Sequence, residues 1–321
     1  MHKVLVLGKI HEAGIERLKH SGGFEVIERK DNPQDLHSAA ADADMIIVRT
    51  TKIDQALLDH SPRLKLVARH GVGYDAVDVA ALTARNVPLA LTGDVNSTAV
   101  AEHALALMLA VAKQVVRYDR AIREDNFAIR DGFSAFELSG RTLLIIGLGR
   151  IGRKVARLAQ AFGMQVIASD PFVSASDAEQ IGVGYVADWR PSLSRADFVS
   201  IHAPKLPDTR YLVGAPELAA MKPGSVLVNV SRGGMVDETA LVEMLERGHL
   251  AGAGLDVFEH EPLPADDPLA RHPGVVLSPH SAAFTQECAM RMSLACADNV
   301  ISFIAGKLDP SVVVNRQILP N

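Results

Sequence analysis

Cysteine is nearly absent from the 321-residue chain: only Cys288 and Cys296 occur. They stand eight positions apart in one stretch of helical periodicity. That spacing separates them by about 12 Å along a helix axis, too far for a disulfide. The sequence has no CxxC pair and no HExxH, so neither a structural zinc nor a zincin site is expected, and no metal is assigned. It also lacks a basic excess. Lys and Arg number 33 against 38 Asp and Glu, a net charge of −5 with histidine neutral. A protein that coats nucleic acid needs the opposite balance, so no nucleic-acid partner is expected, although a local Arg cluster can still favour a small anionic substrate. No apolar run is long enough to cross a bilayer: the most apolar later stretch, Thr98 to Ala112, contains Glu102 and His103. The opening MHKVLVLGKIHEAG lacks the unbroken apolar core and small-residue cleavage site of a signal peptide. These absences predict a soluble, cytoplasmic protein with no membrane partner.

What is present is ordinary for a globular chain, with 48% hydrophobic and 22% charged residues and a length that suggests two domains. Short apolar runs alternate with amphipathic stretches. Strands are expected at Val4–Leu7, Met45–Val48, Leu64–Ala68, Leu143–Ile146, Val166–Ser169, Phe198–Ile201, Val226–Val230, Gly254–Val257 and Val275–Ser278. Continuous apolar strands between amphipathic helices imply βαβ units and parallel sheets covered on both faces, hence an α/β fold. About ten strands exceed a usual single sheet, so two sheets are expected. The first set ends near residue 92. One long helix is expected over Thr98–Glu124, with Thr98 as N-cap and Glu102 in its first turn. A final helix over Gln286–Ala305 could pack on either domain.

Residues 143–152 read LLIIGLGRIG: a strand, then Gly147, Gly149 and Gly152 at GxGxxG spacing, then a helix. The next strand ends at Asp170, 18 residues beyond Gly152, close to the separation at which a carboxylate meets an adenosine ribose. Gly147 permits the tight turn, Gly149 lets the backbone approach a pyrophosphate, and Gly152 lets helix and strand pack closely. The alternative is a ligand-free Gly-rich turn, but strand, helix and acid all stand in place. A carboxylate accepts from both ribose hydroxyls and repels a 2′-phosphate, so the cofactor is expected to be NAD rather than NADP.

Three later segments place polar residues just after an apolar strand, where open α/β sheets bind ligands. VLVNVSRGG carries Arg232, GLDVFEHEP carries Asp256 and Glu261, and VVLSPHSAA carries His280. Hydride transfer to or from a 2-hydroxy acid needs a cation for the carboxylate and carbonyl oxygen, a proton donor–acceptor active near neutral pH, and a group to orient it. Arg, His and Glu meet those needs. Taken singly, Arg232 has a plain structural reading as a surface cap, His280 as a satisfied imidazole and Asp256 as a turn cap; their recurrence after successive strands favours chemistry.

Together, GLGRIG with Asp170, His202–Pro204 as HxP, NVSRGG, DVFEHEP and SPH resemble the D-isomer-specific 2-hydroxyacid dehydrogenase family over essentially the whole chain. The resemblance implies that Arg232 grips substrate, His280 exchanges the proton and Glu261 holds His280. It also implies cofactor contacts at Val72, Arg150, Ile151, Asp170, Ala203, Val230 and Asp256, beside the glycines. Further implications are a homodimer and two doubly wound parallel-sheet domains with a cleft between them. The flavodoxin-like substrate domain would be discontinuous, 1–97 plus 286–321, and the Rossmann NAD domain would span 98–285. One departure is Lys205, where the family usually has Leu; it changes the polarity beside the coenzyme pocket.

Within the family the chain is most similar to D-3-phosphoglycerate dehydrogenases, through VRTTK (Arg49), ARHGVGYDAVD (Arg69, Gly71, Val72, Gly73) and FAIRDGF (Arg130). In those enzymes the matching arginines can hold the substrate phosphate, for which a guanidinium fork is suited. The alternatives are a salt bridge for Arg49 and solvent exposure for Arg130. His70–Gly71–Val72–Gly73–Tyr74 also resembles reductases of hydroxypyruvate and glyoxylate, which keeps those short 2-keto acids as the rival substrates. A reading of another class is an NAD-sensing corepressor-like binding protein. The short tails disfavour it, and no C-terminal regulatory domain is expected after residue 321.

Overall fold

The computed structural model describes residues 1–29 and 33–319. The chain divides into two compact units, one of Met1–Asn96 with Phe284–Asn321 and one of Ser97–Ala283.

The first unit holds strands β1 (His2–Leu7), β2 (Phe24–Arg29), β3 (Met45–Val48), β4 (Leu66–Arg69) and β5 (Leu89–Ala90). They form a five-stranded sheet of order β2-β1-β3-β4-β5 with every pairing parallel. This is the flavodoxin-like doubly wound order. Alternation along β1 sends Val4 and Val6 into one core and Leu5 and Leu7 into another, so both faces are covered. The helix Gln286–Ile304 belongs to this unit. It lays Cys296, Ala297 and Val300 into the core with Val4 and Val6, and Ser293 accepts a hydrogen bond from the His11 amide at 2.8 Å.

The second unit holds β6 (Thr142–Ile146), β7 (Gln165–Ser169), β8 (Gly184–Tyr185), β9 (Phe198–Ile201), β10 (Ser225–Asn229), β11 (Leu250–Leu255) and β12 (Val275–Leu277). Their order is β12-β11-β10-β9-β6-β7-β8, again wholly parallel, which is the Rossmann arrangement. Leu143 and Ile145 face one core while Leu144 and Ile146 face the other. The order reverses direction between β6 and β9, so the loops after these strands diverge and leave a crevice at their C-terminal ends.

The structure corrects the long helix. Two helices occur, Ser97–Ala112 and Val115–Arg123, bent by 56°. Gln114 lies between them at φ 56°, a left-handed conformation that ends one helix and starts the next. Thr98 is inside the first helix rather than its N-cap, and its hydroxyl accepts from Lys154 Nζ at 2.8 Å. Among the described residues no single helix is long and apolar enough to cross a membrane, and no group of three or more His, Cys, Asp or Glu side chains is placed to hold a metal ion. Both cysteines are free and buried.

Candidate active site

In the Ser97–Ala283 unit the glycine loop joins β6 to the helix Arg150–Ala161. Gly147 has φ 99°, and a Cβ there would lie 2.7–2.8 Å from the backbone of His202 and Ala203, so the turn accepts only glycine. A Cβ on Gly152 would overlap the Gly147 carbonyl. Gly149 differs: a Cβ there would meet nothing within 4 Å. That open space lies at the N-terminus of a helix of 12 residues, whose first amides have no intrahelical acceptor. It is suited to a pyrophosphate.

Asp170 follows β7. Its Oδ2 accepts from the Leu148 amide and its Oδ1 from the Phe172 amide, both at 2.8 Å. Each oxygen keeps a further acceptor site, enough for the two ribose hydroxyls of a dinucleotide. Arg150 is exposed, Ile151 and Ala203 are half-buried, and Val230 is buried in the core. The chain can therefore hold NAD through its glycine loop and Asp170.

After β10 the chain forms a tight loop around Asn229. The Asn229 amide donates to the Arg232 carbonyl at 2.9 Å, and its Oδ1 accepts from the Ser231 amide at 3.0 Å and hydroxyl at 2.8 Å. Gly233 packs directly on the Phe258 carbonyl, where a Cβ would collide. These contacts fix the backbone of Arg232, whose Nη1 donates to the Ser231 carbonyl at 2.6 Å. Lys205 reaches the same loop, its ammonium lying over Gly234.

Glu261 and His280 are brought together across 19 residues. Glu261 Oε2 lies 2.8 Å from His280 Nδ1, and Oε1 accepts from the Phe258 amide at 3.1 Å. Burial pushes the Glu261 carboxyl up, but the bonds from His280 and Phe258 and the charges of His280 and Arg232 outweigh it. The net result lies below the ordinary glutamate value. Glu261 is thus ionised at neutral pH and can only accept, so Nδ1 carries a proton and Nε2 is left as the atom that exchanges one. His280 has φ 50°, a left-handed conformation that is costly for a side chain with a Cβ and that clusters at functional sites.

Asp256 is 1% exposed. Its Oδ1 accepts from Ser278 Oγ at 2.6 Å and the Ser281 amide at 2.8 Å, its Oδ2 from the Ala282 amide at 2.9 Å, and its carbonyl from the His280 amide at 2.8 Å. These bonds brace the segment that carries His280. Sequence reasoning missed Asn229, Gly233 and Ser278. The Gly233–Gly234 pair was the available signal, and Ser278 stood within SPH without a role.

In the other unit, Arg49 directly follows β3 and Arg69 ends the adjacent β4, where Val48 pairs with Arg69. Arg49 lies over the Phe284 ring at 4.2 Å and donates to the Lys9 carbonyl at 3.1 Å, rather than forming the salt bridge considered from sequence. Arg69 donates to the carbonyl of His70, and Gly71 follows at φ 136° with Val72 and Gly73 half-buried. Arg130 belongs to the Ser97–Ala283 unit. It is exposed, stacked on Phe127 at 4.4 Å and 3.6 Å from Asp131.

Residues 105–282 match the family described as D-isomer specific 2-hydroxyacid dehydrogenase, NAD binding domain. The chain is 40% identical to a D-3-phosphoglycerate dehydrogenase of Mycobacterium bovis, over 99% of this chain and 61% of that one. It spans about three-fifths of the length of the curated phosphoglycerate dehydrogenases it matches. It is 36% identical to a glyoxylate reductase of Korarchaeum cryptofilum, over 99% of this chain and 97% of that one. Among solved structures it resembles an NADPH-dependent glyoxylate/hydroxypyruvate reductase from Sinorhizobium meliloti in complex with citrate. The TM-score is 0.85 and the identity 32%, over 100% of this chain and 99% of that one.

Proposed function

Because the chain belongs to the D-isomer specific 2-hydroxyacid dehydrogenase family, we propose that it transfers a hydride between NAD(H) and a small 2-hydroxy or 2-keto acid, with Arg232, Glu261 and His280 as catalytic residues. The observation that carries this reading is the 2.8 Å contact of Glu261 with His280 Nδ1, which leaves Nε2 to move a proton. A bound nicotinamide supplies or accepts the hydride. As a keto acid is reduced, charge grows on its carbonyl oxygen; His280 protonates that oxygen from Nε2, and in the reverse direction takes the proton back. Glu261 steadies the imidazolium and fixes its orientation. The Arg232 fork grips the substrate carboxylate and leans on the carbonyl oxygen. The test is NADH oxidation with a panel of 2-keto acids, and NAD reduction with 3-phosphoglycerate and other 2-hydroxy acids. NADH that binds but is never oxidised by any of them would instead favour the corepressor-like reading.

Coenzyme choice follows from Asp170. Like charges about 4 Å apart near a protein surface repel by about 4 kcal/mol, so a 2′-phosphate beside this carboxylate is strongly disfavoured. The chain is expected to prefer NADH to NADPH by more than about tenfold in kcat/KM, and Asp170→Ala to narrow that gap. Equal efficiency with both coenzymes in the parent would reject the assignment, and the NADPH-dependent relative makes the comparison informative.

For the substrate, 3-phosphoglycerate is the first reading, supported by Arg49 and Arg69 at the ends of adjacent strands and by the phosphoglycerate dehydrogenases among the relatives. Glyoxylate or hydroxypyruvate is the second, favoured by the near full-length match to a glyoxylate reductase. If the arginines, with Arg130, hold a phosphate, Arg→Ala at 49, 69 or 130 should lower kcat/KM by about 10–100-fold for the phosphorylated substrate and hardly at all for hydroxypyruvate. Equal losses on both substrates would make the arginines structural. The reading also includes a cytoplasmic homodimer. Exposed Val115, Val116, Ile122, Phe127 and Phe133, all within residues 115–133, suit a surface covered by a second copy.

A further inference from the structure

We propose that His103 is a positioning residue for the catalytic segment, acting through Ser278 and Asp256; the proposal rests on the reading of His280 as the proton-transfer group. His103 projects from the helix Ser97–Ala112 with Nε2 2.7 Å from Ser278 Oγ and 3.5 Å from Asp256 Oδ1. The direction of each bond follows from counting protons. Ser278 has one hydroxyl proton, and at 2.6 Å from Asp256 Oδ1 it donates it to the carboxylate, which as an anion can only accept. Ser278 Oγ is then the acceptor of the His103 bond, so His103 Nε2 carries a proton. The chain of donation runs His103 Nε2–H to Ser278 O–H to Asp256.

That chain ends on the carboxylate that holds the segment on both sides of His280. Ser278 lies two residues before it, and the Ser281 and Ala282 amides donate to Asp256 just after it. With the Asp256 carbonyl also accepting the His280 amide, the left-handed backbone of His280 is over-determined from four directions, as a strained functional residue requires. His103 is the only member of this network on a helix, and it anchors Ser278 to an element whose other face is buried in the core. Without its N–H, Ser278 Oγ loses its donor. The hydroxyl is then free to rotate, and Asp256 Oδ1 loses a polarised partner in a water-poor setting, where such bonds reinforce one another.

The experiment compares His103→Leu, which removes the donor, with His103→Gln, whose amide N–H can reach the same oxygen. Ser278→Ala and the Ser278→Ala/His103→Leu double variant complete the set. Turnover is measured with NADH and the best 2-keto acid, together with hydrogen–deuterium exchange of the peptide covering residues 278–283. His103→Leu is expected to lower kcat by about tenfold with KM changed less than about twofold, and to speed exchange in that peptide by about tenfold. His103→Gln should restore both to within about threefold of the parent, and in the Ser278→Ala background the Leu substitution should add nothing. Equal losses in the Leu and Gln variants, or unchanged exchange at 278–283 in the Leu variant, would overturn the proposal. If His103→Leu does not fold, Ser278→Ala alone must show the faster exchange. A parent that turns over no 2-keto acid would instead sink the functional reading, while the exchange comparison still decides the positioning role.

Discussion

Replacing Arg232 with Lys is expected to lower kcat/KM for the 2-keto acid by about 10²–10³-fold, although the positive charge is kept. A guanidinium presents a rigid fork that binds two oxygens at once, whereas an ammonium is a compact point charge on a flexible stem. Losing one charge-assisted hydrogen bond costs about 1.5–3 kcal/mol, and losing the shared orientation of carboxylate and carbonyl adds to it. The loop leaves no slack for Lys to compensate. Asn229 holds the Arg232 carbonyl at 2.9 Å, and Gly233 is pressed on the Phe258 carbonyl, so the backbone cannot advance the shorter donor set. Coenzyme affinity, read by NADH fluorescence, should stay within about twofold, because the glycine loop and Asp170 lie after other strands. A kcat/KM within twofold of the parent would remove Arg232 from the site.

The second large effect is at His280. General acid–base catalysis by a placed side chain contributes about 10²–10⁴-fold, so His280→Asn should lose that much in both directions and flatten the pH profile. In the parent, keto-acid reduction needs His280 protonated and should fall as pH rises through the profile midpoint; hydroxy-acid oxidation needs the neutral ring and should rise. Glu261 is held below its ordinary value, so it remains ionised through this range and favours imidazolium. Glu261→Gln keeps the shape and removes the charge. Because the imidazolium then loses the carboxylate paired with it at 2.8 Å, kcat/KM for reduction at neutral pH should drop.

Two other imidazoles do not interfere. Burial pushes His202 down to about 4, and burial with the charges of Arg69 and Arg49 pushes His70 down to about 4, so both stay neutral there. Glu238 does need a control. Burial raises it to about 7, and its carboxylate accepts the Glu259 amide at 2.6 Å, two residues before Glu261. Glu238→Gln should leave the midpoint in place. A Glu261→Gln profile that overlays the parent's would mean that the carboxylate does not tune the histidine.

Much of this was legible in one dimension because the physics behind it is local. Continuous apolar runs such as LLII and VLVNV bury both faces of a parallel strand, and their alternation with amphipathic helices encodes two doubly wound sheets. Gly147 and Gly152 are read from spacing because a β-turn-α unit admits no side chain at those points. Of the four edge strands only β12, expected at Val275–Ser278, was legible; β2, β5 and β8 were not. FEVIER in β2 carries three charges, and β5 and β8 have two residues each, since an edge needs little hydrophobicity and profits from charge that blocks further pairing. The break at Gln114 was hidden as well: neither Gly nor Pro marks it, and Gln114 takes its left-handed φ of 56° with a full side chain.

Residue types and strand ends at Arg232, Glu261 and His280 are properties of the sequence. That Glu261 lies 2.8 Å from His280, that Asp256 is enclosed by Ser278, Ser281 and Ala282, and that His103 reaches Ser278 from a helix 175 residues away are properties of the tertiary structure alone. A backbone pattern is written by each segment's own burial and turn chemistry. A hydrogen-bond network depends instead on which strand ends become neighbours, and in a parallel sheet only the crossovers decide that.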